Sequence, residues 1–354
     1  MKFLTVITEP KSIFQGTFKA AVNWSKSLKG DMMIISDHSS DALKKVEIEN
    51  IDYISANYKT GPEYMQSDYD YILCDDSSMK LINLISRLKT KARKILYIYP
   101  MRGVYTIGGL NVKNVPNFLD RLKINSSRLL PYRNFLSRYI QLCNSFDYTV
   151  TQSHTSSGIV RYYHGIIPDH IAPNPVDRTI FYPRKRTELF EREKQVILYL
   201  GSGGIDTNPE LLLSIDEYLS HTDYKLVAFG NERRFSNLES GKWININGVK
   251  DADLSAIMNE SRFTIVPQED EPLSYVAMES ISSGTPVLAS FPDDSIIDDK
   301  AGLISSPKNF LKLLNYALEK YAPINLVDEL DSYSKRFDMN EIGQSLINFL
   351  SRNY

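Results

Sequence analysis

The stretch 268–290, QEDEPLSYVAMESISSGTPVLAS, decides how the chain is read. It leaves the end of an apolar strand, crosses an acidic loop, enters a helix near Ser274, stops at Gly284 and resumes as a strand. Glu271 and Glu279 stand eight positions apart, which puts the first in the loop and the second about one turn into the helix. A loop feeding a helix N-terminus offers free backbone N–H groups and the positive end of the helix dipole, an arrangement suited to phosphate. A carboxylate one turn further on can accept two sugar hydroxyls, the chemistry of nucleotide-ribose recognition. On spacing alone, an ordinary β–loop–α–β unit with solvated acids is the simpler reading.

Working outward, 354 residues exceed one typical domain and point to two. An apolar content of 42% with 11% aromatics supports real cores and excludes a disordered chain. Two cysteines, Cys74 and Cys143, cannot build a disulfide framework, so a reducing cytoplasm is the expected location. No apolar run reaches the length of a membrane span and no signal-peptide core opens the sequence, so no membrane partner is expected. The formal net charge of −2 conceals an asymmetry. Residues 81–140 carry 12 Lys/Arg against one acid, Asp120, a net of +11, whereas residues 201–354 sum to −11. Such a split points to a polyanionic partner for one half. A set of solvated helix faces is the alternative.

Short apolar runs at 2–8, 32–35, 69–74, 95–99 and 148–151 alternate with helical patterns such as Phe18–Leu28, as parallel βαβ units do. The Pro-rich segment HIAPNPVDRTIFYP, 170–183, gives way to the charged RKRTELFEREK and marks a domain boundary. Domains are therefore expected at 1–178 and 179–337, with a C-terminal helix in 338–354 returning to the first. The second half repeats the alternation, with strands at 196–200, 225–229, 243–246, 263–266 and 287–289. The loop Gly201-Ser202-Gly203-Gly204 lies between a strand and a helix starting near Pro209, where glycines let backbone approach a pyrophosphate. His154, His164 and His170 lack metal-ligand spacing and a carboxylate partner, so no metal site is predicted, although a divalent metal stays compatible with the chemistry.

The pattern E-P-x-x-x-V-A-x-E-x-x-x-x-G-T-P-V, from Glu271 to Val287, resembles the donor-site signature of retaining GT-B glycosyltransferases. That resemblance implies an α/β fold of two Rossmann-like domains whose parallel sheets face across a cleft, the first binding the acceptor and the second the nucleotide sugar. It implies ribose binding by Glu279, a catalytic place for Glu271 near the donor sugar, and a donor pocket completed by Val249, Pro272, Leu273, Ser274 and Tyr275. It also covers the passage between domains, where Pro175 replaces the family's usual Gly. One departure concerns the diphosphate. The family places an Arg and a Lys where this chain has Ser202 and Thr207, so the usual cationic clamp is missing. Arg233 and Arg234, after the strand at 225–229, are the nearest replacements, since Arg grips phosphate with a bidentate fork. An ordinary surface pair near Glu232 is the competing reading.

FGNERRF, 229–235, and NVKN, 111–114, with Pro116 and Arg102, resemble the phage DNA glucosyltransferases of the T-even type, as do the opening MKFLTVI and the length. This resemblance runs through both halves. It implies transfer from a UDP-sugar to 5-hydroxymethylcytosine in duplex DNA with the base flipped out, by a monomer working in the host cytoplasm and holding no permanent cofactor. It places Gly16, Arg93, Lys94, Arg102, Lys113 and Arg121 on the acceptor side, with Arg102 also a catalytic candidate. The loop with Gly103, Gly108 and Gly109 would lie beside the base. Pro100 stands where those inverting enzymes have their catalytic Asp, and proline cannot act as a base. Together with the Glu271/Glu279 pair, this implies retention, with the leaving diphosphate accepting the proton. A retaining transferase of surface glycan or glycolipid, and an inactive GT-B binding protein, are the alternatives.

Overall fold

The computed structural model describes residues 1–9, 16–37, 44–48, 51–99, 136–184, 196–201, 209–230, 238–245, 249–267, 273–296, 298–320 and 327–353. The chain forms two compact units, Met1–Pro173 with Gly343–Tyr354, and Asn174–Ile342.

The first unit is built on eight strands: β1 (Phe3–Thr8), β2 (Asp31–Ile35), β3 (Lys44–Ile48), β4 (Ile51–Ala56), β5 (Tyr71–Asp75), β6 (Arg93–Ile98), β7 (Tyr148–Thr151) and β8 (His170–Ile171). Their order is β3-β4-β2-β1-β5-β6-β7-β8. Seven strands are parallel, and β3 alone pairs antiparallel, at the edge, with β4. Helices α1 (Gly16–Leu28), α2 (Gly61–Met65), α3 (Met79–Ser86) and α4 (His154–His164) connect them. A sheet covered on both faces needs continuous apolar strands, and YILCD of β5 is buried at every position. Alternate residues serve opposite layers. Leu4, Val6, Met33 and Ile35 pack with Leu81, Ile82 and Ile85 of α3, while Ile7, Met32 and Ile34 meet Phe18, Ala21 and Val22 of α1. Each such aliphatic side chain contributes about 1.5–3 kcal/mol on full burial.

The second unit has six parallel strands: β9 (Val196–Leu200), β10 (Lys225–Gly230), β11 (Gly241–Asn245), β12 (Phe263–Val266), β13 (Val287–Ala289) and β14 (Gly302–Ile304). Helices α5 (Pro209–Ser220), α6 (Asp251–Glu260), α7 (Tyr275–Ser282), α8 (Phe310–Lys320) and α9 (Val327–Ser334) flank the sheet. Its order, β11-β10-β9-β12-β13-β14, is that of a doubly wound nucleotide-binding sheet. The direction of winding reverses between β9 and β12, and the crevice at such a reversal, on the C-terminal ends of the strands, is where open α/β sheets take ligands. In the first unit the same reversal lies between β1 and β5.

The last helix, α10 (Met339–Arg352), crosses from the second unit into the first. Gly343 makes the approach close, since a Cβ there would sit 2.5 Å from the Ser27 carbonyl oxygen. Further on, Phe349 stacks on His170 with centroids 4.7 Å apart, and the Asn353 carbonyl accepts from Arg93 at 2.9 Å and from the Tyr148 hydroxyl at 3.1 Å. At the other passage the second unit begins at Asn174, a few residues before the sequence boundary of 178/179. Backbone bonding explains the difference. Val176 N–H donates to the Phe337 carbonyl at 2.8 Å, Met339 N–H donates to Val176 at 3.1 Å, the Tyr275 hydroxyl donates to the Pro175 carbonyl, and Arg178 pairs with Asp331. No helix among the described residues is long and apolar enough to cross a membrane.

Candidate functional site

The C-terminal ends of the second unit's strands bring together residues far apart in sequence. Gly201 follows β9, Gly230 ends β10, Val249 follows β11 and Leu273–Tyr275 follow β12. Gly201 N–H donates to the Phe229 carbonyl at 3.2 Å. A Cβ on Gly230 would overlap both the Gly201 carbonyl oxygen and the Trp243 ring, so only glycine lets these two strand ends lie side by side. Gly230 was not among the residues that sequence reasoning placed in the site. Its signal was the FG ending of an apolar run.

Across the reversal, α7 is fixed at both ends. Ser274 is its N-cap, the side-chain oxygen accepting Ala277 N–H at 3.4 Å. At the other end Gly284 adopts φ +79°, with Thr285 N–H donating to Ser280 at 3.0 Å and Gly284 N–H to Ile281 at 3.0 Å. This is a Schellman stop, which explains why G-T-P separates helix from strand in the sequence. Ala277, Ser280 and Ser282 are small and buried, so the helix lies close to its neighbours; the Ser280 hydroxyl is 2.7 Å from Thr264 Oγ1 on β12. Glu279 rides on this helix one turn in and is 2% exposed.

Of the donor residues expected from sequence, Gly201, Val249, Leu273, Ser274, Tyr275 and Glu279 are described, each in a segment that follows the C-terminal end of a strand. Ser202, Gly203, Gly204, Arg233, Arg234, Glu271 and Pro272 lie outside the described residues, as do Pro100, Arg102, Lys113 and Arg121. Gly16 opens α1, directly after β1 at the first unit's reversal point. Arg93 and Lys94 lie elsewhere. They begin β6, at the N-terminal edge of the sheet, about 16 Å from the strand's ligand end at ~3.3 Å per residue. Arg93 bonds to the Tyr148 hydroxyl and the Asn353 carbonyl, and Lys94 Nζ donates to the Ser86 carbonyl at 3.0 Å. Both are engaged in holding this edge together.

The ligand end of the first sheet carries carboxylates instead. Glu9 follows β1 and accepts from the Ser36 hydroxyl, and Asp75 ends β5 and accepts from Ser77. Asp76, 6% exposed, accepts Tyr99 N–H at 3.2 Å and the Tyr139 hydroxyl at 2.8 Å. Burial and the Asp76 charge push the Tyr139 phenol well above its ordinary value, so it stays a neutral donor. Three histidines fall in or beside elements of the first unit. His164 meets the Tyr139 ring, His170 stacks on Phe349, and His154 opens α4. Among the described residues no cluster of His, Cys, Asp or Glu could hold a metal ion.

Residues 183–337 match the family described as Glycosyl transferases group 1. That match lies within the second unit. Solved structures align over nearly the whole chain and give the fold as GT-B. They include HepE of Anabaena in complex with UDP-glucose (TM-score 0.70, 12% identity, 99% of this chain and 100% of that one). The trehalose-6-phosphate synthase OtsA aligns with a TM-score of 0.69 and 13% identity over 99% of both chains. The sucrose-phosphate synthase of Thermosynechococcus elongatus aligns with a TM-score of 0.68 and 12% identity, covering 99% of this chain and 98% of that one. Comparison with curated protein sequences gave no match.

Proposed function

We propose that the chain transfers a sugar from a nucleotide sugar, first of all a UDP-sugar, to 5-hydroxymethylcytosine in duplex DNA, with retention at the anomeric carbon. The observation that carries the donor half is buried Glu279 on the capped helix α7, which follows β12 beside the winding reversal of a doubly wound sheet. There the first turn of α7 faces the diphosphate and Glu279 takes the ribose hydroxyls. Two solved neighbours, HepE and a bacterial trehalose-6-phosphate enzyme, were determined with UDP-glucose and a fluorinated UDP-glucose, which supports the same donor class here. Arg233 and Arg234 neutralise the diphosphate in place of Ser202 and Thr207, and Glu271 faces the donor sugar.

Chemistry then needs little covalent help from the protein. The C1–O bond to the diphosphate breaks, the acceptor oxygen attacks the same face, and its proton passes to the departing phosphate oxygen. The protein positions the reactants and stabilises the charge that develops. For the acceptor, support comes from sequence: the +11 block of 81–140 and the NVKN and FGNERRF stretches. Arg102, Lys113 and Arg121 are the contacts proposed, the first unit being the acceptor half. Arg93 and Lys94 drop out of that set because of the edge they occupy.

A second reading has its own observation. Glu9, Asp75 and Asp76 at the described ligand end of the first sheet suit a neutral, hydroxyl-rich acceptor better than a polyanion, so a glycan acceptor is the competitor. Salt separates the two. Binding to hydroxymethylated duplex should weaken with a log–log slope of about −0.9 per phosphate neutralised. Changing Arg102→Glu and Lys113→Glu together should flatten that slope and abolish transfer to DNA while leaving nucleotide-sugar binding intact. Normal DNA glycosylation by the double variant, or no duplex binding by the native chain at low salt, would leave the glycan reading standing.

A further inference from the structure

Beneath the first turn of α7 lies a carboxyl to which the donor reading gives no role. Asp293, in the loop after β13, is 5% exposed. Its Oδ2 accepts the Ser274 backbone N–H at 3.0 Å, and its Oδ1 accepts Ser295 N–H at 2.8 Å and the Ser295 hydroxyl at 2.6 Å. Ser295 is gripped from the far side as well. Its carbonyl accepts the Tyr333 hydroxyl at 2.8 Å and the Arg336 guanidinium at 2.8 Å, and Arg336 also reaches the Asp294 carbonyl at 3.2 Å. The loop therefore joins α9 and the turn after it to the cap of the helix that carries Glu279.

The Ser274 N–H precedes the helix and has no intrahelical acceptor, so whatever binds it fixes how the helix begins. We propose that Asp293 is the positioning residue of the donor pocket: by holding Ser274 against the 293–295 loop, its carboxylate aims the first turn of α7 and Glu279 at the nucleotide sugar. This rests on the donor reading given above. The Ser274 backbone and Ser295 supply three donors to this carboxyl, which suits its ionised form.

Burial pushes the Asp293 carboxyl up to about 7, with the neighbouring Asp294 adding to the rise and the bonds from Ser295 and Ser274 opposing it. The other groups facing it are Arg336, whose guanidinium feels Asp293, Asp294 and Asp298, and the Tyr333 phenol on α9. On α7, the Tyr275 hydroxyl is committed to Pro175 and Glu279 lies one turn further on. The carboxyl is thus ionised, with all three donors matched to carboxylate oxygens, above about pH 7 and protonated below it. If only the ionised form is competent, its share rises from about a tenth at pH 6 to about nine-tenths at pH 8, and donor affinity should strengthen about tenfold.

The test is calorimetric titration of the full chain with UDP-, ADP- and GDP-glucose, whose diphosphates do not titrate between pH 6 and 8. The native protein should bind one of them about tenfold more tightly at pH 8 than at pH 6. Asp293→Asn keeps the shape but offers a single acceptor oxygen, so it should bind weakly and equally at both pH values. It should melt no lower than the native protein at pH 8, because an ionised buried carboxyl costs folding energy. Native affinity that is level across this range, or an Asp293→Asn variant with native affinity at pH 8, overturns the proposal. The native profile decides the matter however the variant folds. Absence of binding by the native protein to all three sugars overturns the donor reading, and this inference with it.

Discussion

Replacing Glu279 by Ala separates a binding role from a structural one. The side chain is 2% exposed on the eight-residue helix α7. If it accepts the ribose hydroxyls, the change removes charge-assisted hydrogen bonds worth about 1.5–3 kcal/mol. At about 1.4 kcal/mol per tenfold, donor affinity should fall roughly 10- to 150-fold. The folding terms are smaller and partly cancel. One buried methylene is lost at about 0.8 kcal/mol, while Ala gains up to about 0.5 kcal/mol in helix propensity. A net change below about 1 kcal/mol in a unit of this size moves Tm by less than about 2–4 °C. Titration with the nucleotide sugar and a melting curve on the same sample measure both. Unchanged donor affinity would remove Glu279 from the site, and a collapse of Tm together with affinity would make it a folding residue instead.

Other perturbations probe the frame around it. Gly230→Ala forces a methyl into the Gly201 backbone and the Trp243 ring, so it should cost about 1–3 kcal/mol in a melt and weaken the donor; normal values for both would contradict the packing described. Arg93→Ala should lower Tm by loosening the contact with the end of α10, yet leave the acceptor KM untouched; a raised KM would return Arg93 to the acceptor set. Burial holds the His170 imidazole below its ordinary value, so the unfolded chain takes up the proton first. Its contribution is intact above about pH 6.5 and declines below it. The melting difference between native chain and His170→Phe, which keeps the stack on Phe349, should shrink as pH falls from 7.5 to 5.5; a constant difference would refute the assignment.

The fold was legible where one signal dominated. The runs 148–151, 196–200, 263–266 and 287–289 are strands at those limits, because they are short, apolar and bounded by turn residues. The helix from Ser274 to Gly284 was readable because both its cap and its stop are local chemistry. The hairpin of β3 and β4 escaped notice: KKVEI and IDYISA mix charges into an edge position where one strand is antiparallel. So did β8 and β14, two and three residues long, which take their form from the neighbour they pair with. At the site, Glu279 and the glycine turn announced themselves through spacing. Asp293 did not, because its partner Ser274 is reached only after the chain has made a strand and returned. The charge count found a basic block but could not show that Arg93 and Lys94 belong to the edge away from the ligand, since direction along a strand is set by the sheet.

The central claim is transfer with retention onto hydroxymethylated cytosine. It is tested most directly by incubating the purified chain with duplex DNA containing 5-hydroxymethylcytosine and, in turn, UDP-glucose and UDP-arabinose, then digesting to nucleosides. Mass spectrometry should show hydroxymethyl-2′-deoxycytidine heavier by one sugar with one of these donors and unmodified 2′-deoxycytidine unchanged, and NMR of the product should show the anomeric configuration of the donor. Product of inverted configuration would contradict retention. Transfer to carbohydrate acceptors with no mass gain on any hydroxymethylated nucleoside would contradict the DNA assignment itself.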